Sequence, residues 1–462
     1  MMSIAERCGA SFRDPGGFVF RREGVYYRQV NDACRADYDL LMSSGLYSKL
    51  TSEGLLIPHE EEPAPGAGPS AYKVIRPRQL AFVGYPYEWS FSQLKDAALL
   101  TLRVQKIAMA AGLSLKDASA YNVQLHEGRP IFIDTLSFEK YDETKPWVAY
   151  RQFCQHFLAP LALMAHKDIR LGQLLRIYID GIPLPLASRL LPWRTVWNIG
   201  LTIHLHLHAR SQEKYADNPR SLRQNNRPFR RPHLEALLGS LETTIRRLRW
   251  RGGDTEWADY YEANNNYGAE GLEAKARIVG RLLSLAQPRT VWDLGANTGR
   301  FSRVAAQAGA STVVSWDIDP SCVEANYRQV TRHRESAIVP LLLDLTNPTP
   351  SLGWANAERM SMAERGPADA VLALGLIYHL AIGNNVPLPH VAAFLARLGR
   401  HLVIEWVPRE DSQVMRLLAS RKDVFSSYTQ SAFEQSFGEF FRIECSEPVP
   451  GTLRTLYLMK TL

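Results

Sequence analysis

The most restrictive feature of this 462-residue chain lies between residues 290 and 406, where five short apolar runs alternate with stretches of helical length. TVWDL (290–294), TVVSWD (312–317), VPLLLD (339–344), DAVLAL (369–374) and HLVIEW (401–406) read as strands. Strands that are apolar on both sides of the pleat need cover on both faces, and strands separated by helices run parallel. The fold class expected of the C-terminal half is therefore α/β, a doubly wound Rossmann-like sheet. Its end differs: FFRIECSE (440–447) and LRTLYLMK (453–460), joined through PVPGT, read as an antiparallel terminal hairpin at the sheet edge.

The first strand runs into DLGANTGRFSRVAAQ, with Asp293 at its end and Gly295 and Gly299 in the turn before a helix. Glycines there let the backbone approach a ligand, and the helix start offers unpaired N–H groups. Asp317 ends the second run, eighteen residues after Gly299, where a carboxylate can accept from both hydroxyls of a ribose. Asp344 ends the third. Acidic strand ends around a glycine turn describe a nucleoside pocket at a topological switch point.

In this order the motifs resemble the class I S-adenosylmethionine-dependent methyltransferases, over about residues 255–462. The resemblance implies S-adenosyl-L-methionine as cofactor. It assigns the methionine end to the turn of Asp293, Gly295, Asn297 and Gly299, the ribose to Asp317 and the adenine side to Asp344. Asn297 stands where many members have a central glycine. The competing reading is a dinucleotide domain, which prefers G-x-G-x-x-G where this chain has G-x-N-x-G. The resemblance implies that upstream aromatic residues, Trp257, Tyr260, Tyr261 and Tyr267, close over the site, with Tyr267 and Tyr378 as cofactor contacts; packing in a helix core followed by a polar turn is the alternative for the upstream set.

Methyl transfer from a sulfonium is an in-line displacement, so the protein chiefly aligns the acceptor and excludes water. His379, in ALGLIYHLAIG after the fourth strand, is the candidate catalytic base, and Glu405 at the end of the fifth is the second. An Asp/Asn-Pro-Pro-aromatic loop, used by relatives that methylate bases and amides, is missing from that position, as is a cysteine nucleophile. The expected acceptor is an oxygen or nitrogen of a small or conjugated metabolite. An RNA-modifying methyltransferase is the second reading, because YHL also resembles enzymes acting on a tRNA wobble base and because arginines cluster at 220, 223, 227, 230 and 231. A non-catalytic scaffold is the third.

The N-terminal half carries LKDASAYNVQLHEGRPIFIDTLSFE, with Asp117 and Asn122 five apart and Asp134 after a hairpin turning at HEGR. This resembles the H-R-D-x-x-x-x-N and D-F-G segments of the protein-kinase-like fold. The match implies a catalytic role for Asp117 and magnesium binding by Asn122 and Asp134. Leu115 stands in place of the histidine, Thr135 and Leu136 in place of Phe and Gly, and Arg28 is a poor substitute for the strand lysine. A degenerate kinase-like α+β module that recognises substrate or partner is expected. GFVFRREGVYYRQV (17–30) predicts a hairpin, residues 90–112 a long helix, and HEEEPAPGAGPSA (59–71) a surface loop.

The organisation expected is an N-terminal domain at 1–216, a basic linker and bridging helix at 217–254, and the methyltransferase domain at 255–462. Five scattered cysteines without a C-x-x-C pair argue against a disulfide framework and for a reducing cytoplasm, and HLHLH (204–208) lacks a carboxylate or cysteine partner, so no metal is expected. The greasiest stretch, 177–207, is broken by Asp180, three prolines and two arginines, which excludes a membrane span of roughly 20 clean apolar residues. A net charge of +7 permits an anionic partner without requiring one. Oligomeric state is not legible.

Overall fold

A computed structural model describes residues 6–63, 70–210, 230–252, 268–419 and 424–462. The chain divides into two compact units, Met1–Arg251 with Leu352–Arg359, and Gly252–Ser351 with Met360–Leu462.

The first unit opens with an antiparallel sheet of β1 (Glu6–Arg7), β2 (Gly17–Arg22), β3 (Val25–Asn31), β4 (His59–Glu62) and β5 (Ala71–Pro77), in the order β1-β2-β3-β5-β4. The β2–β3 hairpin turns at Glu23 and Gly24, both in the left-handed region. The acidic run expected to begin a surface loop is instead the edge strand β4. Its glutamates pair across to β5, Glu60 and Glu62 with Arg76 at 2.6 and 2.8 Å and Glu61 with Lys73 at 2.6 Å. Cross-strand ion pairs let a charged run occupy a sheet edge.

The long helix α1 (Phe91–Ala110) starts at Ser90, which accepts from the Gln93 amide while the Gln93 side chain accepts from the Ser90 amide. That reciprocal cap fixes the start of the helix. Strands β6 (Leu113–Leu115) and β9 (Phe138–Lys140) pair around the hairpin of β7 (Val123–His126) and β8 (Arg129–Phe132), which turns at Glu127 and Gly128. The last described helix of this unit, α2 (Arg231–Arg247), buries Leu234, Leu238, Leu241 and Ile245 on one side.

The second unit is a seven-stranded sheet of β10 (Thr290–Leu294), β11 (Thr312–Asp317), β12 (Ile338–Leu342), β13 (Ala368–Ala373), β14 (Gly399–Trp406), β15 (Phe441–Pro448) and β16 (Thr455–Thr461). Their order is β12-β11-β10-β13-β14-β16-β15, parallel except where β16 pairs with β14 and β15. This is the doubly wound sheet with an antiparallel terminal hairpin that the methyltransferase resemblance implies. Helix α3 (Gly268–Ala286) lays Leu272, Val279, Leu282 and Leu283 onto a core with Val291, Val313, Val403 and Leu456. Helices α4 (Arg300–Gln307), α5 (Pro320–His333) and α6 (Leu388–Leu398) are the crossovers from β10 to β11, β11 to β12 and β13 to β14, while residues 343–367, which hold no α-helix, return the chain from β12 to β13, so that β10 to β14 run parallel. The strand order reverses at β10, between β11 and β13, and there a sheet of this kind opens a crevice at its carboxyl edge.

Candidate functional site

The turn after β10 is held open by backbone conformation. Gly295 and Gly299 have φ of 74° and 82°, and Asn297 between them has φ of 52°. Asparagine tolerates the left-handed region better than other side chains, which explains how it replaces a glycine here. The Gly295 and Ala296 amides both donate to the Trp316 carbonyl, at 2.9 and 2.8 Å, locking the turn against β11. At Gly299 an added Cβ would lie 2.5 Å from the Asn326 side chain, so only glycine fits before α4.

Asp317, at the end of β11, accepts from the Asn297 amide at 2.7 Å and from the Asp319 amide at 2.8 Å. Each carboxylate oxygen therefore keeps a lone pair for a ligand hydroxyl. Burial pushes its pKa up to about 6, opposed by those two amide bonds. Gly295, Asn297, Asp317 and Asp344 line one pocket together with Tyr378 and His379. Ile318, Leu343 and Leu345 add apolar wall. The run expected to end at Asp344 stops as a strand at Leu342, so Asp344 sits in the following loop, where its Oδ1 accepts from the Thr346 amide and hydroxyl at 2.8 and 2.6 Å.

Two assigned residues lie beneath this pocket rather than in it. Asp293 is buried and accepts from the Ser302 hydroxyl at 2.6 Å, one end of a ladder that continues to Ser315 and Asn326. Burial raises its pKa to about 7. Asp293 and Gly299 thus shape the turn from below, while Gly295 and Asn297 face the cavity. Tyr267, like Trp257, Tyr260 and Tyr261, lies outside the described residues.

His379 opens a π-helical turn (His379–Gly383), its ring 4.1 Å from that of Tyr378. Burial, with the Arg454 cation assisting, lowers its pKa to about 4, so the imidazole is neutral at physiological pH. Glu405 does not line the pocket. It is wholly buried, 2.7 Å from the Lys275 Nζ and 3.9 Å from Arg454, which in turn grips Asp411 through two bonds of 2.8 and 3.1 Å. Lys275 does line the pocket, on the side of α3 facing the Phe301 ring. Sequence reasoning missed this network. Its signal was a lysine at a position where the helical period of Leu272 and Val279 calls for an apolar residue.

In the first unit, Asp117, Asn122 and Asp134 come together. Ser137 links two of them, accepting from the Asn122 amide nitrogen at 3.1 Å and donating to Asp134 at 2.8 Å. Burial, then the neighbouring Asp134, raises the pKa of Asp117. Arg28 on β3 spans Asp14 at 2.5 Å and Asp134 at 3.0 Å, so a guanidinium already faces the carboxylate that the kinase resemblance gives to magnesium. The histidines of HLHLH point to separate partners: His204 to Tyr150 and Ser240, both at 2.9 Å, and His206 to Ser188 and Thr195 at 2.8 and 2.9 Å. His208 stacks on the Tyr150 ring at 5.0 Å.

No family model matches the chain. Among solved structures, it is similar to WbdD at 14% identity, with 44% of this chain and 42% of that chain covered and a TM-score of 0.29. The N-methyltransferase NodS from Bradyrhizobium japonicum WM9 matches at 12% identity, covering 42% of this chain and 98% of that one, with a TM-score of 0.29. Magnesium protoporphyrin IX methyltransferase from Synechocystis PCC 6803, solved with bound SAM, matches at 16% identity over 44% of this chain and 95% of that one, TM-score 0.29. The chain is also 35% identical over 461 residues to nodulation protein NoeA of Rhizobium meliloti (strain 1021), covering 98% of this chain and 95% of the relative. A likeness of that extent across both halves is a family relationship, and the chain belongs to the family of nodulation protein NoeA.

Proposed function

We propose that the chain is an S-adenosylmethionine-dependent methyltransferase acting on an oxygen or nitrogen of a small or conjugated metabolite. The observation that carries this reading is the crevice at the carboxyl edge of β10, β11 and β13, where Asp317 meets a turn of left-handed residues at the switch point. The donor chemistry fits the cofactor. Asp317 retains acceptor capacity for ribose hydroxyls, Ile318, Leu343 and Leu345 offer apolar surface to a purine, and Lys275, already paired with Glu405, offers a hydrogen-bond donor to a carboxylate. When bound, the cofactor supplies an electrophilic methyl group on sulfur.

The protein's own part is alignment and exclusion of water. Tyr378 and His379 form the pocket side reached by the acceptor, and His379, neutral and half-buried, is the group able to take a proton from it. Glu405 acts through Lys275, holding the ammonium at the pocket base. The first unit we read as a degenerate kinase-like module, because Arg28 neutralises Asp134 where a magnesium ion would be needed. A role in nodulation, which the relative's name states for NoeA, is proposed for this chain too.

The test is incubation of the purified protein with S-adenosylmethionine carrying a labelled methyl group and a fractionated small-molecule extract. Label entering a metabolite fraction with wild type, and lost with Asp317→Ala, is expected. Cofactor binding without label transfer to any fraction would replace this reading with that of a non-catalytic scaffold.

A further inference from the structure

The exposed large apolar residues of the first unit concentrate in one stretch. Trp193, Trp197 and Ile199 are 75%, 77% and 76% exposed, and Val196, Ile203 and Leu207 are exposed with them. Monomeric proteins seldom leave so many large apolar groups together in water unless the face has a use. The arrangement is ordered. The single-turn helix Trp193–Trp197 leads through Asn198, whose side chain accepts from the Leu201 amide at 3.1 Å, into a helix that runs on through the π-helical turn Thr202–Leu207. On that helix Ile199, Ile203 and Leu207 recur every four residues on the outer side, while Leu201, Leu205 and Ala209 are buried.

Buried histidines fix this face in position. His206 bonds at once to Thr195 in the tryptophan turn and to Ser188 in the preceding helix Leu184–Leu190, and His204 ties the turn Thr202–Leu207 to Tyr150 and Ser240. The tryptophans are thus presented on a preorganised scaffold, which lowers the entropic cost of docking.

Along the segment that carries the face the charges are mostly basic. Between Leu171 and Arg210 the basic residues are Arg176, Arg189, Arg194 and Arg210, against Asp180 alone among the acids. Asp180 is paired with Arg13 at 3.2 Å. Arg194 lies between the two tryptophans in sequence, and Arg210 follows Leu207 by one turn at the end of the outer row, both exposed. Tryptophan beside arginine on an apolar face is the composition of a segment that lies in a lipid interface. Among the described residues no helix is long and apolar enough to cross a membrane.

We propose that this face seats the first unit on an anionic lipid surface, Trp193, Trp197, Ile199, Ile203 and Leu207 entering the boundary between headgroups and acyl chains while Arg194 and Arg210 meet the headgroup phosphates. The proposal is independent of methyl transfer, since all of these residues belong to the first unit.

The test is co-sedimentation of the full chain with vesicles of phosphatidylcholine alone and of phosphatidylcholine mixed with phosphatidylglycerol. Wild type is expected to pellet with the anionic vesicles and to be released by added salt. Partitioning should fall by about tenfold or more in W193S/W197S, in proportion to the apolar surface removed. R194Q/R210Q should lose the preference for anionic vesicles. Should the tryptophan variant melt earlier than wild type, I203Q/L207Q reads the same face from its other end. No pelleting of folded wild type would overturn the proposal, as would equal pelleting of wild type and both apolar variants. Equal binding to neutral vesicles would overturn the anionic assignment. A wild-type dimer that becomes monomeric in W193S/W197S, without vesicle binding, would show a second copy of the chain to be the occupant instead.

Discussion

Replacing Glu405 by glutamine separates a structural role for this buried carboxylate from a catalytic one. Glu405 is fully buried on β14 and stands 2.7 Å from Lys275, itself only 4% exposed. The four buried groups Lys275, Glu405, Arg454 and Asp411 sum to zero charge. In Glu405→Gln the Lys275 ammonium loses its near partner and is left between the like charge of Arg454 and the carboxyl of Asp293, while Arg454 keeps its two bonds to Asp411. Removing one member of a buried ion pair costs about 3–5 kcal/mol. Because Lys275 can shed its proton, burial already lowering its pKa, the low end is expected, about 3 kcal/mol. For a unit of roughly 200 residues that is a fall in Tm of about 6–12 °C. Differential scanning calorimetry reads it, and the deficit should shrink as pH rises and Lys275 deprotonates. The double variant Lys275→Met/Glu405→Leu, which removes the pair together, should recover most of the loss. A Glu405→Gln protein as stable as wild type, or a double variant as unstable as the single one, would refute this account of the network.

Further outcomes follow from the same geometry. The folded-state pKa values of Asp293 and Asp317, raised by burial to about 7 and about 6, mean that the folded protein holds protons the unfolded chain has released. Their contribution to stability is therefore full below the ordinary aspartate pKa of about 4 and declines as pH rises through about 6 to 7; calorimetry against pH should show the decline, reduced in Asp317→Asn. With His379 already neutral, a kcat profile should show no step near the ordinary imidazole value; a step near pH 6.5 that disappears in His379→Asn would show the opposite. Asn297→Gly should leave cofactor affinity intact, whereas Asn297→Val, forced to a φ of 52°, should lose about tenfold, equivalent to about 1–2 kcal/mol of backbone strain.

Most of the parallel sheet was legible because its strands are buried on both faces and so stand out as uninterrupted apolar runs. TVWDL and TVVSWD coincide with β10 and β11 residue for residue. The acidic residue that ends β11 and the residues of the turn were legible for the same reason, since strand ends and glycines mark where a ligand can approach. What escaped depends on distant partners. The strand at His59–Glu62 is stabilised by cations on β5, and no local propensity favours three consecutive glutamates in a sheet. Lys275 and Glu405 are 130 residues apart, so the one looked like an interruption of a helix face and the other like a free strand-end acid. The segment Leu352–Arg359 belongs to the first unit, where Glu358 holds Arg13 at 2.6 Å and Arg359 covers the Tyr121 ring at 3.9 Å. Nothing in its composition, between two strands of the second unit, announces that membership.

The central claim is tested most directly by isothermal titration of S-adenosylmethionine into the purified chain, beside Asp317→Ala and with ATP and magnesium in a parallel cell. Heat of binding to wild type that vanishes in the variant, with no heat from ATP, is the predicted result. Absence of cofactor binding together with clear magnesium-dependent ATP binding would contradict the account and make Asp117, Asn122 and Asp134 the working site.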